Sequence, residues 1–124
     1  MIIDRIKRIF CEKKGLNFGE DLAAKYLKKQ GHKIIDKNYH EKCGEIDIIS
    51  MDKGILVFTE VKQRKNDRFG RPEEFVTKEK RNRIRKTASL YIMRTKHKGL
   101  SRFDVIEILG EDSPEINHIK NAFY

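Results

Sequence analysis

The fold of this chain is decided by the stretch GEIDIISMDKGILVFTEVK, residues 44–62. Its first half alternates, with Ile46 and Ile48 expected on one face and acids on the other, as in a half-buried strand. Its second half, Ile55 to Gln63, begins with a continuous apolar run typical of a central strand. Asp52-Lys53-Gly54 is interpreted as the turn between them. We therefore predict an antiparallel hairpin, whose register stays open because loops of two, three and four residues all fit.

Helical and strand patterns surround this hairpin. A helix is predicted from Asn17, which can cap it, to about Gln30. A longer helix is predicted from about Thr77 to Lys96. The other expected elements are a basic lead-in at 1–16, a strand at 32–39, a polar loop at 65–76, a strand at 102–109 and an edge strand at 115–124. The 124 residues fit a single domain with a core at about 17–109. The order favours an α/β fold, a mixed central sheet flanked by helices.

The chain is strongly basic. It has 28 Lys and Arg against 19 Asp and Glu, a net charge of +9 and a pI near 9.6. Such a charge is expected to attract polyanions, of which nucleic acid is the commonest; an anionic membrane and plain solubility are the alternatives. No stretch approaches the ~20 apolar residues of a membrane span, and the first ten residues lack the apolar core of a secretory signal. We therefore expect a cytoplasmic protein that does not enter a membrane.

Asp47, Glu60 and Lys62 are the main candidate catalytic residues. Glu60 and Lys62 are two positions apart on one strand and share a face, while Asp47 interrupts an apolar run on the preceding strand. Clustered carboxylates repel each other unless a cation offsets their charge, and Mg²⁺ or Mn²⁺ with oxygen ligands is suited to this. Lys62 would position or help deprotonate a water, or stabilise charge on a phosphate. The alternatives are a solvent-facing acid at Asp47 and an ion pair made by Glu60.

Glu20 and Glu45 are further candidate metal ligands that also have structural explanations. Glu20 stands three residues after Asn17, where a capping box and the helix dipole both account for an acid. Glu45 fits a metal ligand, a group that holds water beside the metal, or a surface acid. The residues alone leave these alternatives open, and Glu45 ranks below Asp47.

A basic surface is expected on the second long helix and in the loop before it. Several of its cations recur at helical spacing, and Phe69 in the loop is available for stacking on a base. Contacts from such cations to backbone phosphates give affinity without reading the base sequence. An ordinary solvated helix face is the alternative. The candidate nucleic-acid-binding residues are Arg64, Lys65, Arg68, Arg71, Lys78, Arg81 and Arg85.

Five segments carry a family resemblance. They are Gly19-Glu20-Asp21-Leu22-Ala23-Ala24, Gly44-Glu45-Ile46-Asp47-Ile48-Ile49, Val57-Phe58-Thr59-Glu60-Val61-Lys62-Gln63-Arg64, Phe69-Gly70 and Arg102-Phe103-Asp104-Val105-Ile106. Together they resemble the YraN family of small bacterial proteins, over about residues 17–109. That family resembles the restriction-endonuclease-like PD-(D/E)xK nucleases, near the archaeal Holliday-junction resolvases. The proline of the superfamily motif is absent here, where Gly44-Glu45-Ile46 precedes Asp47.

The resemblance implies an αβββαβ core with Asp47, Glu60 and Lys62 at the mouth of the strands, and it implies a role for Glu20 in the site. The leading hypothesis is a Mg²⁺- or Mn²⁺-dependent endonuclease acting on DNA, with branched DNA as one substrate to consider. The alternatives are a non-catalytic nucleic-acid-binding module and a scaffold protein in DNA repair, recombination or uptake. A homodimer is one option, because junction resolvases act as dimers for reasons of symmetry.

Overall fold

A computed structural model describes residues 17–64, 77–110 and 113–124, in which seven elements follow one another. They are helix α1 (Asn17–Lys29), strands β1 (Lys33–Glu41), β2 (Gly44–Asp52) and β3 (Ile55–Arg64), helix α2 (Lys78–Thr95), and strands β4 (Ser101–Leu109) and β5 (Glu115–Phe123). This order confirms the predicted αβββαβ core and the added edge strand. The predicted lead-in at 1–16 and the loop at 65–76 lie outside the described residues. No helix within the described ranges is both long and apolar enough to cross a membrane.

The five strands form one mixed sheet in the order β1-β2-β3-β4-β5. All neighbouring pairs are antiparallel except β3 and β4, which run parallel and are joined through α2. Asp52 pairs with Ile55, so the β2–β3 loop contains only Lys53 and Gly54. Both residues have positive φ, 50° and 84°, as a two-residue hairpin turn requires. The turn therefore settles the register that the sequence left open.

An apolar cluster covers each face of the sheet. On one face, Ala23 and Leu27 of α1 pack with Ile48 of β2 and with β4. On the other, Ile84 and Tyr91 of α2 pack with a second set of strand residues, which includes Phe58 of β3. Residues 56–60 of β3 are buried, and Val57 and Phe58 are 0% and 1% exposed. This confirms that β3 is the central strand covered on both sides, which explains its continuous apolar run.

A buried polar network joins the C-terminal part of β2 to the beginning of β4. Asp104, which is fully buried, accepts hydrogen bonds from the Arg102 guanidinium (2.9 and 3.1 Å) and from the backbone N–H of Asn121 (3.0 Å). Its Oδ2 also lies 2.7 Å from His118 Nε2. Burial alone would raise the pKa of Asp104, but hydrogen bonds with His118 and Arg102 hold that pKa below its usual value. We call these residues, with His32, Ser50 and Asp52 that adjoin them, the β2–β4 network.

Candidate catalytic and metal-binding site

The site lies where the β2–β3 ladder ends. The paired residues run from Asp52 and Ile55 at the turn to Ile48 and Thr59. At the next position the Asp47 side chain enters the ladder, because its Oδ2 accepts the hydrogen bond donated by the backbone N–H of Val61 (2.8 Å). A carboxylate thus takes the place of a strand carbonyl. This contact fixes Asp47 beside the neighbouring residue of β3, Glu60.

The alternation of β2 is interrupted at the same point. Ile46 packs in the cluster on the α2 face, whereas Ile48 packs in the cluster on the α1 face. The prediction that these two isoleucines share a face is therefore wrong. Opposite the interruption, Asn38 of β1 adopts a left-handed backbone with φ 55°, which asparagine tolerates better than most residues. The regular pairs on either side, Lys37 with Ile48 and Tyr39 with Ile46, leave Asn38 and Asp47 between them.

Helix α1 brings Glu20 to this end of the sheet. Gly19 lies against β3 at this point, since a Cβ at that position would lie 2.7 Å from the side-chain oxygen of Gln63, which would have to move aside. Glu20 itself is only 4% exposed. Burial raises its pKa, a hydrogen bond with the Asn38 side chain opposes that rise, and the charge of Glu45 adds to it. The contact with Asn38 gives this acid a tertiary partner in addition to its position in the first turn of the helix.

Asp47 and Glu60 form a buried carboxyl pair. They are 9% and 7% exposed, and a hydrogen bond links the two carboxyl groups. Burial, the charge of Glu60 and the charge of Glu20 together raise the pKa of Asp47 to about 8, although the hydrogen bond from Val61 acts in the opposite direction. Near neutral pH Asp47 therefore keeps its proton. An acid in this state can exchange its proton for a metal cation.

Two lysines contact the same carboxyl pair. Lys62 Nζ lies 3.8 Å from Glu60 Oε1, and Lys80 Nζ of α2 lies 2.5 Å from that same oxygen. Burial and the neighbouring Lys80 ammonium lower the pKa of Lys62. For Lys80, burial is the largest single influence and lowers the pKa, but the hydrogen bonds with Glu60 and Lys62 and the charges of Glu60 and Asp47 together outweigh burial, so the pKa is raised. The structure therefore confirms the contact between Glu60 and Lys62 and adds a second cation.

Glu45 lies at the rim of the site. Its side chain is exposed and its Oε2 lies 2.7 Å from His40 Nε2.

Beside Glu45, a cavity of about 260 Å³ opens between the β1–β2 turn and α2. Gly44, where an added Cβ would lie 3.0 Å from Thr87 Oγ1, lets the turn pack closely against α2. The cavity is lined by Gly44, Glu45, Glu60, Lys80, Arg83 and Ile84.

The acids of the site fit a divalent cation by charge, although they are not assembled around one. Across residues 17–64, 77–110 and 113–124, no three His, Cys, Asp or Glu side chains are grouped closely enough to hold a metal ion. The pKa of Asp47 is raised mainly by burial and then by the charge of Glu60, and a hard cation with oxygen ligands would favour the ionised form of both carboxyl groups. Asp47 and Glu60 are therefore the residues best placed to begin such a site.

The basic residues predicted to bind nucleic acid lie in different environments. Arg64 forms an ion pair with Glu107 of β4, and the Arg85 guanidinium donates to the carbonyl of Tyr124 and lies 6.0 Å from the centre of the Phe123 ring. Lys78 is exposed and Arg81 is partly buried. The predicted contacts of Lys65, Arg68 and Arg71 lie outside the described residues. Among the candidates in the described ranges, Lys78 is therefore the one most accessible to a phosphate. Arg64 instead links β3 to β4, and Arg85 links α2 to Tyr124.

Sequence reasoning missed Asn38 and Lys80. The signal for Lys80 was its spacing, because it precedes the buried Ile84 and Thr87 by four and seven residues and so shares the inward face of α2. A lysine on that face must find an anion or extend to solvent. For Asn38 no pattern was available, since its left-handed backbone and its bond to Glu20 both depend on tertiary structure.

Close relatives of this chain occur in several bacteria. A UPF0102 protein of Syntrophomonas wolfei is 46% identical over 108 residues, which are 86% of this chain and 94% of the relative. A UPF0102 protein of Clostridium botulinum strain Loch Maree is 44% identical over 119 residues, 92% and 97% of the two chains. One from Cytophaga hutchinsonii is 47% identical over 96 residues, 77% and 85% of the two chains.

The same relationship appears at the level of the family. The sequence model described as uncharacterised protein family UPF0102 matches residues 19–108, a range that begins in α1 and ends in β4. The matched range contains Glu20, Asp47, Glu60 and Lys62, and it also contains Lys80. The chain therefore belongs to the UPF0102 family, which confirms its resemblance to the YraN proteins.

Proposed function

We propose that this protein is a divalent-metal-dependent endonuclease that hydrolyses DNA phosphodiester bonds, with branched DNA as one substrate to test. The observation that carries the proposal is the buried Asp47–Glu60 carboxyl pair with Lys62 beside it. Two adjacent buried carboxyl groups cost free energy that an apolar pair of similar size would not. Groups with strongly perturbed pKa values in a cleft are more common at functional sites than elsewhere. The pair therefore supports a chemical role.

Asp47 and Glu60 would hold Mg²⁺ or Mn²⁺, with Glu20 and Glu45 as further oxygen donors acting directly or through water. A cation bound there polarises a phosphate and makes a water molecule more acidic. Glu20 is kept near the carboxyl pair by its bond to Asn38. Asp47 is held in the ladder by Val61, so its oxygens are positioned before any cation arrives.

Lys62 would act on the reacting groups themselves. Its ammonium lies on the Glu60 face, and its lowered pKa makes the transfer of a proton at Nζ easier near neutral pH than for an ordinary lysine. In the charged form the same Nζ would stabilise the negative charge that develops on the phosphate. Either role requires Lys62 at the carboxyl pair, which is where the structure has it.

The nucleic-acid contacts and the superfamily belong to the same proposal. The exposed cations of α2 lie on the helix that carries Lys80 to the site, so DNA bound through its phosphates along α2 would pass beside Glu60. The αβββαβ order, with Asp47 on β2 and Glu60 on β3, supports placing the fold among the PD-(D/E)xK nucleases. The proposal also places the protein in the cytoplasm. It would bind branched DNA as a homodimer, because such DNA has two-fold symmetry.

A cleavage panel tests it. Purified protein is incubated with duplex, single-stranded, flap and four-way DNA in Mg²⁺, Mn²⁺ or EDTA, beside an Asp47→Asn control. Asparagine keeps an acceptor for the Val61 N–H but removes the charge, so the control stays folded while losing the metal site. We expect cleavage of at least one substrate in Mg²⁺ or Mn²⁺, none in EDTA and none by the control.

The same panel separates the other functions. Cleavage equal in the wild type and in Asp47→Asn would come from a contaminating nuclease and would refute the site. DNA binding without cleavage on any substrate would favour a nucleic-acid-binding module. If the protein neither binds nor cleaves DNA, an interaction protein in repair, recombination or uptake becomes the better hypothesis.

A further inference from the structure

Lys80 is the closest cation to the carboxyl pair, although it comes from a helix and not from a strand. Its Nζ lies 2.5 Å from Glu60 Oε1, against 3.8 Å for Lys62 Nζ. The first turn of α2 fixes its backbone, since the Lys80 N–H donates to the side chain of the capping residue Thr77 (3.1 Å). The ammonium is therefore directed at the site by the start of the helix.

The position of the Lys80 ammonium has an electrostatic cost and an electrostatic gain. The cost is that burial disfavours its charged form, and that it lies close to Lys62, whose pKa the Lys80 ammonium lowers. The gain is contact with Glu60, whose neighbour Asp47 adds to the negative potential at that point. The Lys80 side chain is 30% exposed and also lines the 260 Å³ cavity, so it has room to lie elsewhere. It lies on Glu60 because the acids attract it there.

We propose that Lys80 is the internal counter-cation of the metal-free site, and that a divalent ion displaces it from Glu60 into the cavity, where it and Arg83 meet a phosphate of the substrate. This inference rests on the proposed function, because it requires a cation site at Asp47 and Glu60. It adds a regulation of that site. Metal binding and phosphate binding become coupled through one mobile side chain.

The displacement follows from competition for one oxygen. A hard divalent cation and an ammonium cannot both sit at Glu60 Oε1, and the cation carries twice the charge. A lysine has a flexible four-carbon stem, so its ammonium can move several ångströms while the helix stays in place. The cavity next to Glu60 already contains Arg83, one helical turn along from Lys80. A phosphate in the cavity would therefore meet two cations after metal binding and only one before it.

The coupling has a thermodynamic consequence in both directions. If metal binding releases Lys80 for the phosphate, then bound phosphate must tighten metal binding by the same factor. Without metal, the Lys80 ammonium offsets negative charge at the carboxyl pair. It also competes with weakly binding cations for Glu60. Lys80 is a substrate-binding residue in this scheme, since it contacts the phosphate once it has left Glu60.

The wild-type protein allows a direct test by lysine methylation. Reductive methylation at low conversion, followed by mass spectrometry of the peptides, measures how accessible each ammonium is. We expect saturating Mn²⁺ to raise the methylation rate of Lys80 several-fold, while the exposed Lys78 and Lys86 of the same helix stay constant. An unchanged Lys80 rate in protein that calorimetry shows to bind Mn²⁺ would overturn the inference alone. If calorimetry detects no Mn²⁺ binding, the metal site of the proposed function fails, and this inference fails with it.

A variant gives an independent readout. Lys80→Met keeps most of the apolar stem but removes the competing charge, so Mn²⁺ should bind at least ~10-fold tighter, a difference of about 1.4 kcal/mol. The matched control Lys78→Met, on the exposed face of α2, should leave Mn²⁺ affinity unchanged within about twofold. Equal Mn²⁺ affinity in the wild type and in folded Lys80→Met would overturn the competition.

DNA binding tests the second half of the inference. In Ca²⁺, another hard cation with oxygen ligands, Lys80→Met should lower the slope of log affinity against log salt by about 0.9, the value of one phosphate contact on duplex DNA. In EDTA the slopes of the variant and the wild type should coincide, because Lys80 is then held by Glu60. A slope change of the same size in both conditions would show that Lys80 contacts phosphate without displacement.

Discussion

Replacing Asp47 by asparagine should stabilise the metal-free protein. Near neutral pH the folded protein keeps a proton on the Asp47–Glu60 pair, because burial and the charges of Glu60 and Glu20 raise the pKa of Asp47 to about 8. In the unfolded chain that carboxyl group ionises near its ordinary pKa of about 3.9. Asparagine has no proton to hold, can donate to Glu60, and keeps the acceptor for Val61. The substitution therefore removes a cost of folding and keeps the hydrogen bonds.

The size of the gain follows from the pKa. At pH 7 the folded state holds a proton about 3 pH units above the pKa of the unfolded group, and each unit is worth about 1.4 kcal/mol. Because the variant also changes the hydrogen bond between residue 47 and Glu60, we expect a gain on the order of 2–4 kcal/mol. For a chain of 124 residues this raises the melting temperature by roughly 5–15 °C.

The sign of the pH dependence provides the sharper test. A raised folded pKa means that the wild type is favoured at low pH and loses stability as pH rises from about 4 towards 8. The advantage of Asp47→Asn should therefore be small near pH 4.5 and largest near pH 8. Thermal melts in EDTA across this range measure it, with Asp21→Asn as the control for an exposed carboxylate. Added Mn²⁺ should stabilise the wild type only. A variant less stable than the wild type, or an advantage independent of pH, would show that the folded protein does not hold Asp47 protonated.

Three further predictions concern the reacting lysine, the basic helix and the β2–β4 network. Lys62→Ala should reduce the rate of DNA cleavage by about 10²–10⁴-fold while filter binding shows unchanged DNA affinity; full activity in folded protein would exclude the mechanism. Lys78→Ala combined with Arg83→Ala should reduce the salt slope of duplex binding by about 1.8, whatever the DNA sequence, and an unchanged slope would place the DNA elsewhere. Asp104→Ala should lower the free energy of unfolding by about 3–5 kcal/mol in urea titrations, because it removes the buried carboxylate shared by Arg102 and His118 and leaves Arg102 with Asp52 alone; a loss below about 1 kcal/mol would show that water replaces the carboxylate.

Most of the fold could be predicted because its signals are local. The alternation before Ser50 and the apolar run after Gly54 are enough to place β2 and β3, and the helix periodicity places α1 and α2. The hairpin register was not accessible, because the left-handed conformation of Lys53 is one that a lysine seldom adopts. The interruption at Asp47 was hidden for a similar reason, since it depends on Asn38 in a different strand.

The part of the site that depends on side-chain alternation within one strand could be predicted from the sequence. Glu60 and Lys62 share a face by alternation alone, and the structure places Lys62 on the same carboxylate as predicted. Lys80 enters only through the docking of α2 on the sheet, twenty residues after Glu60 in the chain. Arg64 had seemed available to a phosphate because its partner Glu107 lies on a strand far along the sequence. Residue spacing within one segment cannot predict ion pairs between segments that are far apart in the chain.

The β2–β4 network gives the two regions of the sheet unequal resistance to local opening. The Asp104 carboxylate is tied to Arg102 in its own strand and to the His118 side chain and the Asn121 backbone N–H of β5, whereas the β2–β3 ladder already stops before Asp47. Native-state fluctuations begin where fewest contacts must break, so amide protons near Val61 should exchange with solvent sooner than those near Asp104. The carboxyl cluster can then rearrange around a cation through a partial opening, while the two apolar clusters remain packed. The two regions of the sheet thus differ in the free energy of local opening, which is lower beside the carboxyl pair.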